Sequence, residues 1–385
     1  MRRTVFNEDH EAYRQTVRDF LAKEVVPVFP EWEQQGYVPK EIYRKLGELG
    51  VWGIEVPEEY GGAGIQDYRY HVVLTEECAR ANVSLGGSSV HVGLVLPYLM
   101  AYATEEQKQR WLPPFVSGEM MTAIAMTEPG TGSDLAGMST TAKLSADGTH
   151  YVLNGAKTFI TGGVQADRVL VIARTSPYDP EDRRAGLSIL AVDTTSEGYA
   201  VGRKLEKIGL RVSDTAELSF TDVKVPVEDL LGEEGKAFYY LGQNLVQERL
   251  GIAVNAVAVT RAAIDLAVEY TQNRKVFGKA VSTFQNTKFE LAACEAEAVA
   301  AQALVDECLE SFEKGELTAS DVAKAKLFTT EVCSRVVDRC LQLHGGYGYM
   351  LEYPIARLYT DNRVYRIYGG TSEIMKSVIA KSMGL

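Results

Sequence analysis

Three glycine-bearing segments and one carboxylate stand out as places where this 385-residue chain could do chemistry. Ala125-Met-Thr-Glu-Pro-Gly-Thr-Gly-Ser-Asp134 ends an apolar run in a glycine loop with hydroxyls. Its backbone N–H groups and Thr127 suit a flat polar ring. Gln342-Leu-His-Gly-Gly-Tyr-Gly-Tyr349 closes a long helical stretch, where adjacent glycines let a phosphate or pyrophosphate approach the backbone. By itself that segment reads more readily as a helix stop. In Ile367-Tyr-Gly-Gly-Thr-Ser-Glu373, Thr371 and Glu373 also read as the start of the last helix. The carboxylate is Glu248. At about 100° per residue it shares a helix face with Leu241, Leu245, Ile252 and Val259. A lone carboxylate in an apolar stripe is costly unless paired or functional. Arg249 points about 100° away, so the plain alternative is a buried ion pair with another helix.

Other chemistries find little support. Gly130-Thr-Gly132 and Gly346-Tyr-Gly348 begin like a dinucleotide fingerprint, but Leu135 and Leu351 occupy the sixth positions. There is no G-x-S-x-G elbow and no H-E-x-x-H. The five histidines are scattered and the five cysteines lack metal-type spacing, so no metal site is expected and the thiols read as reduced. A net charge of −12 argues against nucleic-acid binding. Arg2 and Arg3 lead into Glu8 and Asp9 rather than an apolar stretch, which speaks against a secretory signal. Leu85–Ala103 carries Ser88, Ser89, His91 and Pro97, the pattern of a buried helix rather than a membrane span. A cytoplasmic chain, or a mature mitochondrial one, is expected.

The elements that must position these groups change period twice. Tyr13, Val17, Phe20 and Leu21, then Ile42, Leu46 and Leu49, recur at helical spacing. The run 57–62 reads as a loop, and Thr104 before Glu105, Glu106 and Gln107 reads as a helix N-cap. From Thr122, short β-branched segments at 139–145, 150–160, 169–174, 187–193 and 216–225 are bounded by turn residues. From Lys236 three long stretches, 236–273, 283–313 and 319–344, predict an antiparallel helical bundle. The expected class is α+β: a helical domain over 1–121, a small β domain over 122–231 and a helical domain over 232–385.

Together, Thr127-Glu-Pro-Gly-Thr-Gly-Ser-Asp134 and Gln342-Leu-His-Gly-Gly-Tyr-Gly with Glu352, Arg357 and Asp361 resemble the acyl-CoA dehydrogenase family along nearly the whole chain. The resemblance implies a C-terminal four-helix bundle, bound FAD and a homotetramer. It implies that Ile124, Ala125, Met126, Thr127, Gly132 and Ser133 line the flavin, with Phe159, Ile160 and Thr161 beside it. Arg274, Phe277 and Gln285 would reach FAD phosphates and adenosine across a subunit boundary. Gln342, Leu343, His344, Gly345, Gly346, Thr371, Ser372 and Glu373 would complete the cofactor set. Ser133, Tyr239, Val246, Gln247, Arg249, Gly369 and Gly370 would meet the acyl-CoA. The implied reaction is α,β-dehydrogenation of a fatty acyl-CoA to the trans-2-enoyl-CoA, with electrons passed to electron-transfer flavoprotein. A flavin oxidase or monooxygenase acting on a non-CoA substrate is the alternative on the same fold.

One position departs from the common family pattern. Many members carry Tyr-Glu-Gly-Thr before the last helix, with that Glu as base, whereas this chain has Tyr368-Gly369-Gly370-Thr371. The long-chain and isovaleryl branches place the base on the helix that here holds Glu248. Gln247-Glu-Arg-Leu250, Tyr239 and the Gly-Gly-Thr look most like the long-chain branch. The expectation is that Glu248 takes the α-proton while the Gly369 N–H polarises the thioester carbonyl.

Overall fold

The computed structural model describes residues 3–385; Met1 and Arg2, which the helical-domain and leader readings include, lie outside the described residues. The N-terminal part is built from α1 (Glu8–Phe20), α2 (Phe29–Gln35), α3 (Lys40–Glu48), α4 (Arg69–Arg80), α5 (Ser88–Tyr102) and α6 (Glu105–Val116). Thr104 caps α6 as the sequence predicts, its hydroxyl accepting from the Gln107 N–H while Gln107 reaches back to the Thr104 N–H. Leu85–Ala103 becomes α5, with Val95, Leu96, Tyr98 and Leu99 buried. In composition and length the helix best able to cross a membrane is α7 (Ala237–Asn273), but 67% of its most apolar window is buried inside the fold.

The middle part is a mixed sheet of β1 (Thr122–Ala125), β2 (Thr141–Leu144), β3 (His150–Thr161), β4 (Arg168–Arg174), β5 (Leu187–Asp193), β6 (Tyr199–Lys204), β7 (Thr215–Pro226) and β8 (Leu230–Leu231). Its order is β6-β7-β3-β2-β4-β5-β8, with β1 parallel to β4. Alternation along β4 buries both faces. Leu170 and Ile172 join Trp52, Leu112 and Phe115 in a core shared with the N-terminal helices, while Val169 and Val171 pack with Leu153 and Phe220 on the other side.

The C-terminal part holds α7, α8 (Gln285–Glu313), α9 (Ala319–Leu343), α10 (Pro354–Asp361) and α11 (Ser372–Ser382). Helix α9 packs on α7, α8 and α11, and α4 lies against α7. Helix α7 belongs to two cores. Ala237, Tyr240 and Leu241 pack with the N-terminal helices and sheet, whereas Leu250 onward packs in the bundle. The candidate base lies in the seam between them.

Candidate active site

Glu248 stands on α7 one turn before Ile252, half-buried. Burial pushes its carboxyl above the ordinary glutamate value, and Arg249 and Lys326 oppose that shift by charge. Gly369 approaches it from the turn before α11. A Cβ built on Gly369 would collide with Ile252 Cδ1 and lie 3.3 Å from Glu248 Oε1. Glu248 and Gly369 are therefore neighbours, and Ile252 stands where a side chain at 369 would begin. Gly369 and Gly370 both take left-handed backbone, with φ of +61° and +93°. Among the described residues no protein group accepts from the Gly369 N–H.

Arg249 does not point away from this group, as the helical angle alone suggests. Its long side chain is buried and folds back, so that Nε donates to the Gly369 carbonyl at 3.2 Å. Lys326, on α9, donates Nζ to the Gly370 carbonyl at 2.6 Å. No sequence reading found Lys326. Its partner lies 44 positions away, and an Ala-Lys-Ala-Lys run on a helix reads as solvated surface.

The 124–133 segment is positioned by a second buried charge group. Lys157 is fully buried on β3 and donates to Glu128 Oε1 at 2.9 Å and to the Met126 carbonyl at 3.0 Å. Glu128 also accepts from the Ser139 N–H and hydroxyl and from the Thr140 N–H. Burial would raise Glu128, but Lys157 and these donors outweigh it and hold it at about 2. Burial lowers Lys157 to about 8, with Glu128 resisting. Both groups therefore stay charged at neutral pH. The Thr158 N–H donates to the Thr127 carbonyl at 2.9 Å, tying the loop to β3. Between Lys157 and Ile160 the β3–β7 register shifts, and Phe159 is left 68% exposed at φ +60°. A bulge that turns an aromatic outward beside a pinned loop makes a platform for a flat ring.

Several expected contacts change character. Ile124, Ala125 and Ile160 point into the sheet's cores, because alternation sends their side chains inward, so only their backbone can meet a ligand. Met126, Thr127 and Thr161 are partly open, and Gly132 and Ser133 are exposed. Ser372 is buried, and its hydroxyl donates to Glu331 Oε1 at 3.1 Å. Thr371 caps α11, accepting from the Ile374 N–H, and Glu373 is exposed in the first turn. Val246 packs at the edge of the bundle core. Gln247 lines a small chamber of about 30 Å³ with Glu55, Tyr68 and His71, on the N-terminal side of α7. Tyr239 is 62% exposed, more than two turns before Glu248. Of the other motif residues, Arg357 donates to Glu33 and to the Asn82 carbonyl, and Asp361 accepts from the Leu210 N–H. These two join the three parts of the chain.

A second cavity, of about 440 Å³, is lined by Tyr270, Arg274, Leu343, His344, Gly345 and Gly346, among others. Arg274 caps the end of α7 and lies over the Tyr347 ring. His344 stacks on Tyr270 while its Nδ1 meets the Cys340 carbonyl at 2.8 Å. Cβ atoms on Gly345 or Gly346 would meet nothing within 4 Å, so bare backbone faces the cavity beside a guanidinium. That donor set suits a pyrophosphate. Gln342, Phe277 and Gln285 are exposed nearby and do not line the cavity. Arg274 follows Glu248 by 26 positions of one helix, or about 39 Å along its axis.

Models of the acyl-CoA dehydrogenase N-terminal, middle and C-terminal domains match residues 7–119, 123–223 and 235–384. The chain belongs to the acyl-CoA dehydrogenase family. It is 44% identical over 381 residues to the mitochondrial long-chain specific acyl-CoA dehydrogenase of Sus scrofa, covering 99% of this chain and 88% of that one. It is 37% identical to the caffeyl-CoA reductase-Etf complex subunit CarC of Acetobacterium woodii, covering 97% and 98%. The fold superposes on an acyl-CoA dehydrogenase from Geobacillus kaustophilus with a TM-score of 0.96, at 45% identity and full coverage of both chains. A glutaryl-CoA dehydrogenase from Mycobacterium smegmatis, solved with FADH2, gives 0.89 at 28% identity, covering 98% and 95%.

Lys157→Met removes one partner of a buried pair and strands Glu128, which should cost about 3–5 kcal/mol. A thermal melt should show the loss. Adding Glu128→Gln should restore most of the stability. A single variant as stable as the parent would show that the pair does not hold the loop.

Proposed function

We propose that this acyl-CoA dehydrogenase family member removes the α-proton and β-hydride of a fatty acyl-CoA thioester, giving the trans-2-enoyl-CoA, with Glu248 as base. FAD, when bound, supplies the hydride acceptor. The observation carrying the assignment is that the fold brings Glu248 beside Gly369, with Oε1 3.3 Å from where a Cβ on Gly369 would begin, and that among the described residues the Gly369 N–H has no protein acceptor. A thioester held there would present its α-carbon to the carboxylate and its carbonyl oxygen to the N–H. One fixed donor of this kind is worth about 3–4 kcal/mol in acyl chemistry. Burial raises the basicity of Glu248, and glycine at 369 sets no side chain against it. The long-chain specific relative supports a fatty acyl substrate, and the Etf-complex relative supports electron-transfer flavoprotein as the acceptor.

The residues proposed to hold the flavin ring are the 126–133 backbone, Thr127, Phe159 and Thr161. Gly345, Gly346 and Arg274 suit its pyrophosphate. The separation of about 39 Å along α7 exceeds what one dinucleotide spans, so a second copy is proposed to bring its Arg274 end to each flavin. Arg274, Phe277 and Gln285 would then act across a subunit boundary in a homotetramer. No membrane span and a cytoplasmic or mitochondrial-matrix location fit this reading.

Glu248→Gln keeps size and hydrogen bonding but cannot accept a proton. Anaerobic flavin reduction by dodecanoyl-CoA should fall by about 10²–10⁴, with FAD content and acyl-CoA binding retained; undiminished reduction would refute the base. In the parent enzyme the reduction rate should drop on acidification with a midpoint above 4.5, because burial raises the carboxyl that must be ionised.

Moving the base is a separate check. Glu248→Gly with Gly369→Glu should restore only part of the lost rate, since the new side chain meets Ile252 and takes a strained φ. Adding Ile252→Ala should improve it. A triple variant no faster than the double would show that Ile252 does not limit the new base.

Arg274→Ala should lose FAD and assembly together, read by the flavin absorbance and by sedimentation. An assembled variant with full flavin would contradict the shared site.

A further inference from the structure

Lys326 is 1% exposed, one of the largest fully buried side chains in the molecule. Such a lysine is costly unless its ammonium is engaged. It enters from α9, and its Cε lies 3.6 Å from the point where a Cβ on Gly369 would begin, the same point that Glu248 Oε1 approaches at 3.3 Å. Its Nζ holds the Gly370 carbonyl, Arg249 holds the Gly369 carbonyl, and the Tyr368 N–H is bonded to the Val364 carbonyl. The turn carrying the Gly369 N–H is thus tied on both sides. We propose that Lys326 is a positioning residue for proton abstraction, fixing the Gly369–Gly370 turn and setting its positive charge beside Glu248. The proposal rests on Glu248 being the base.

The groups facing Glu248 are few. Arg249 comes from α7 itself and Lys326 from α9; Tyr98 comes from α5 and Tyr368 from the turn before the glycines. Burial, with the Glu248 charge adding, holds both tyrosines neutral. Among the described residues these two cations alone oppose the desolvation of the proposed base. Burial lowers Lys326 to about 8, with Arg249 adding to the shift and Glu248 opposing it, so the ammonium is charged at neutral pH. A cation favours the ionised carboxylate. Removing it therefore raises the pH at which Glu248 ionises and moves the acid limb of the rate upward.

The test uses FAD-loaded Lys326→Met, Lys326→Gln, Lys326→Arg and Glu248→Gln, with anaerobic reduction by dodecanoyl-CoA followed from pH 5.5 to 9. Flavin content and the spectral shift on acyl-CoA binding are recorded in parallel. Lys326→Met should move the acid limb up by about one pH unit, a tenfold slower reduction on that side, while flavin content and binding hold. Lys326→Arg, which keeps a charge, should return the limb toward the parent. A neutral variant whose limb coincides with the parent overturns the proposal, and so does an arginine variant that behaves like methionine. If both neutral variants lose their flavin, Lys326 is structural and the proposal falls. Glu248→Gln separates the two readings. Its loss of reduction with an unshifted limb in Lys326→Met sinks only the role of Lys326, whereas full reduction in Glu248→Gln sinks the base itself.

Discussion

A carboxylate placed in the seam between two hydrophobic cores, with two cations set near it, is the constraint on which the proposed site depends. Helix α7 leaves the core shared with the sheet after Leu241 and enters the bundle core at Leu250, and Glu248 stands in the gap. Desolvation there opposes its charge, and an uncompensated buried carboxylate would simply stay protonated. Direct pairing would solve that problem while spoiling the base, because a bound cation holds the lone pair that must take a proton. Among the described residues Glu248 makes no ion pair within 4.0 Å. Arg249 and Lys326 instead donate to the carbonyls of Gly369 and Gly370. Their charge reaches the carboxylate while their hydrogen bonds go elsewhere.

The Glu128–Lys157 pair shows the opposite solution in the same protein. There the carboxylate takes a direct ammonium contact at 2.9 Å and three further donors, and its affinity for protons falls to about 2. Such a group cannot act as a base near neutrality, but it can hold a loop. The two buried acids are thus told apart by what satisfies them. One is fully bonded and serves shape; the other has cations near it but no ion pair among the described residues, as the proposed base requires.

Much of this was legible in the sequence wherever a periodic pattern or a dense motif carried it. The three long stretches from Lys236 became α7, α8 and α9 within two residues at each end, because Ala-rich helices with few breakers leave little else to form. The pair Glu248 and Gly369 was readable from one apolar stripe and one missing carboxylate. What escaped depends on distance in sequence. Lys326 reaches the site only through the docking of α9, and Arg249 turns back only because the Gly369 carbonyl waits for it. Strand β6 was missed because it is an edge strand, exposed along nearly its whole length and without the alternation that marks a half-buried strand.

Placing the proposed base on α7 rather than on the turn has a physical consequence for the reacting geometry. A side chain rooted at 369 would start from a left-handed residue and would have to displace Ile252, so its carboxylate would be held by a strained backbone. Rooted at 248, the same carboxylate starts from within a 37-residue helix, between the stretches that the two cores grip. The turn then needs to supply only an N–H, and two glycines with both carbonyls tied can do that without any side chain. Base and carbonyl donor come from separate elements, each rigid for its own reason.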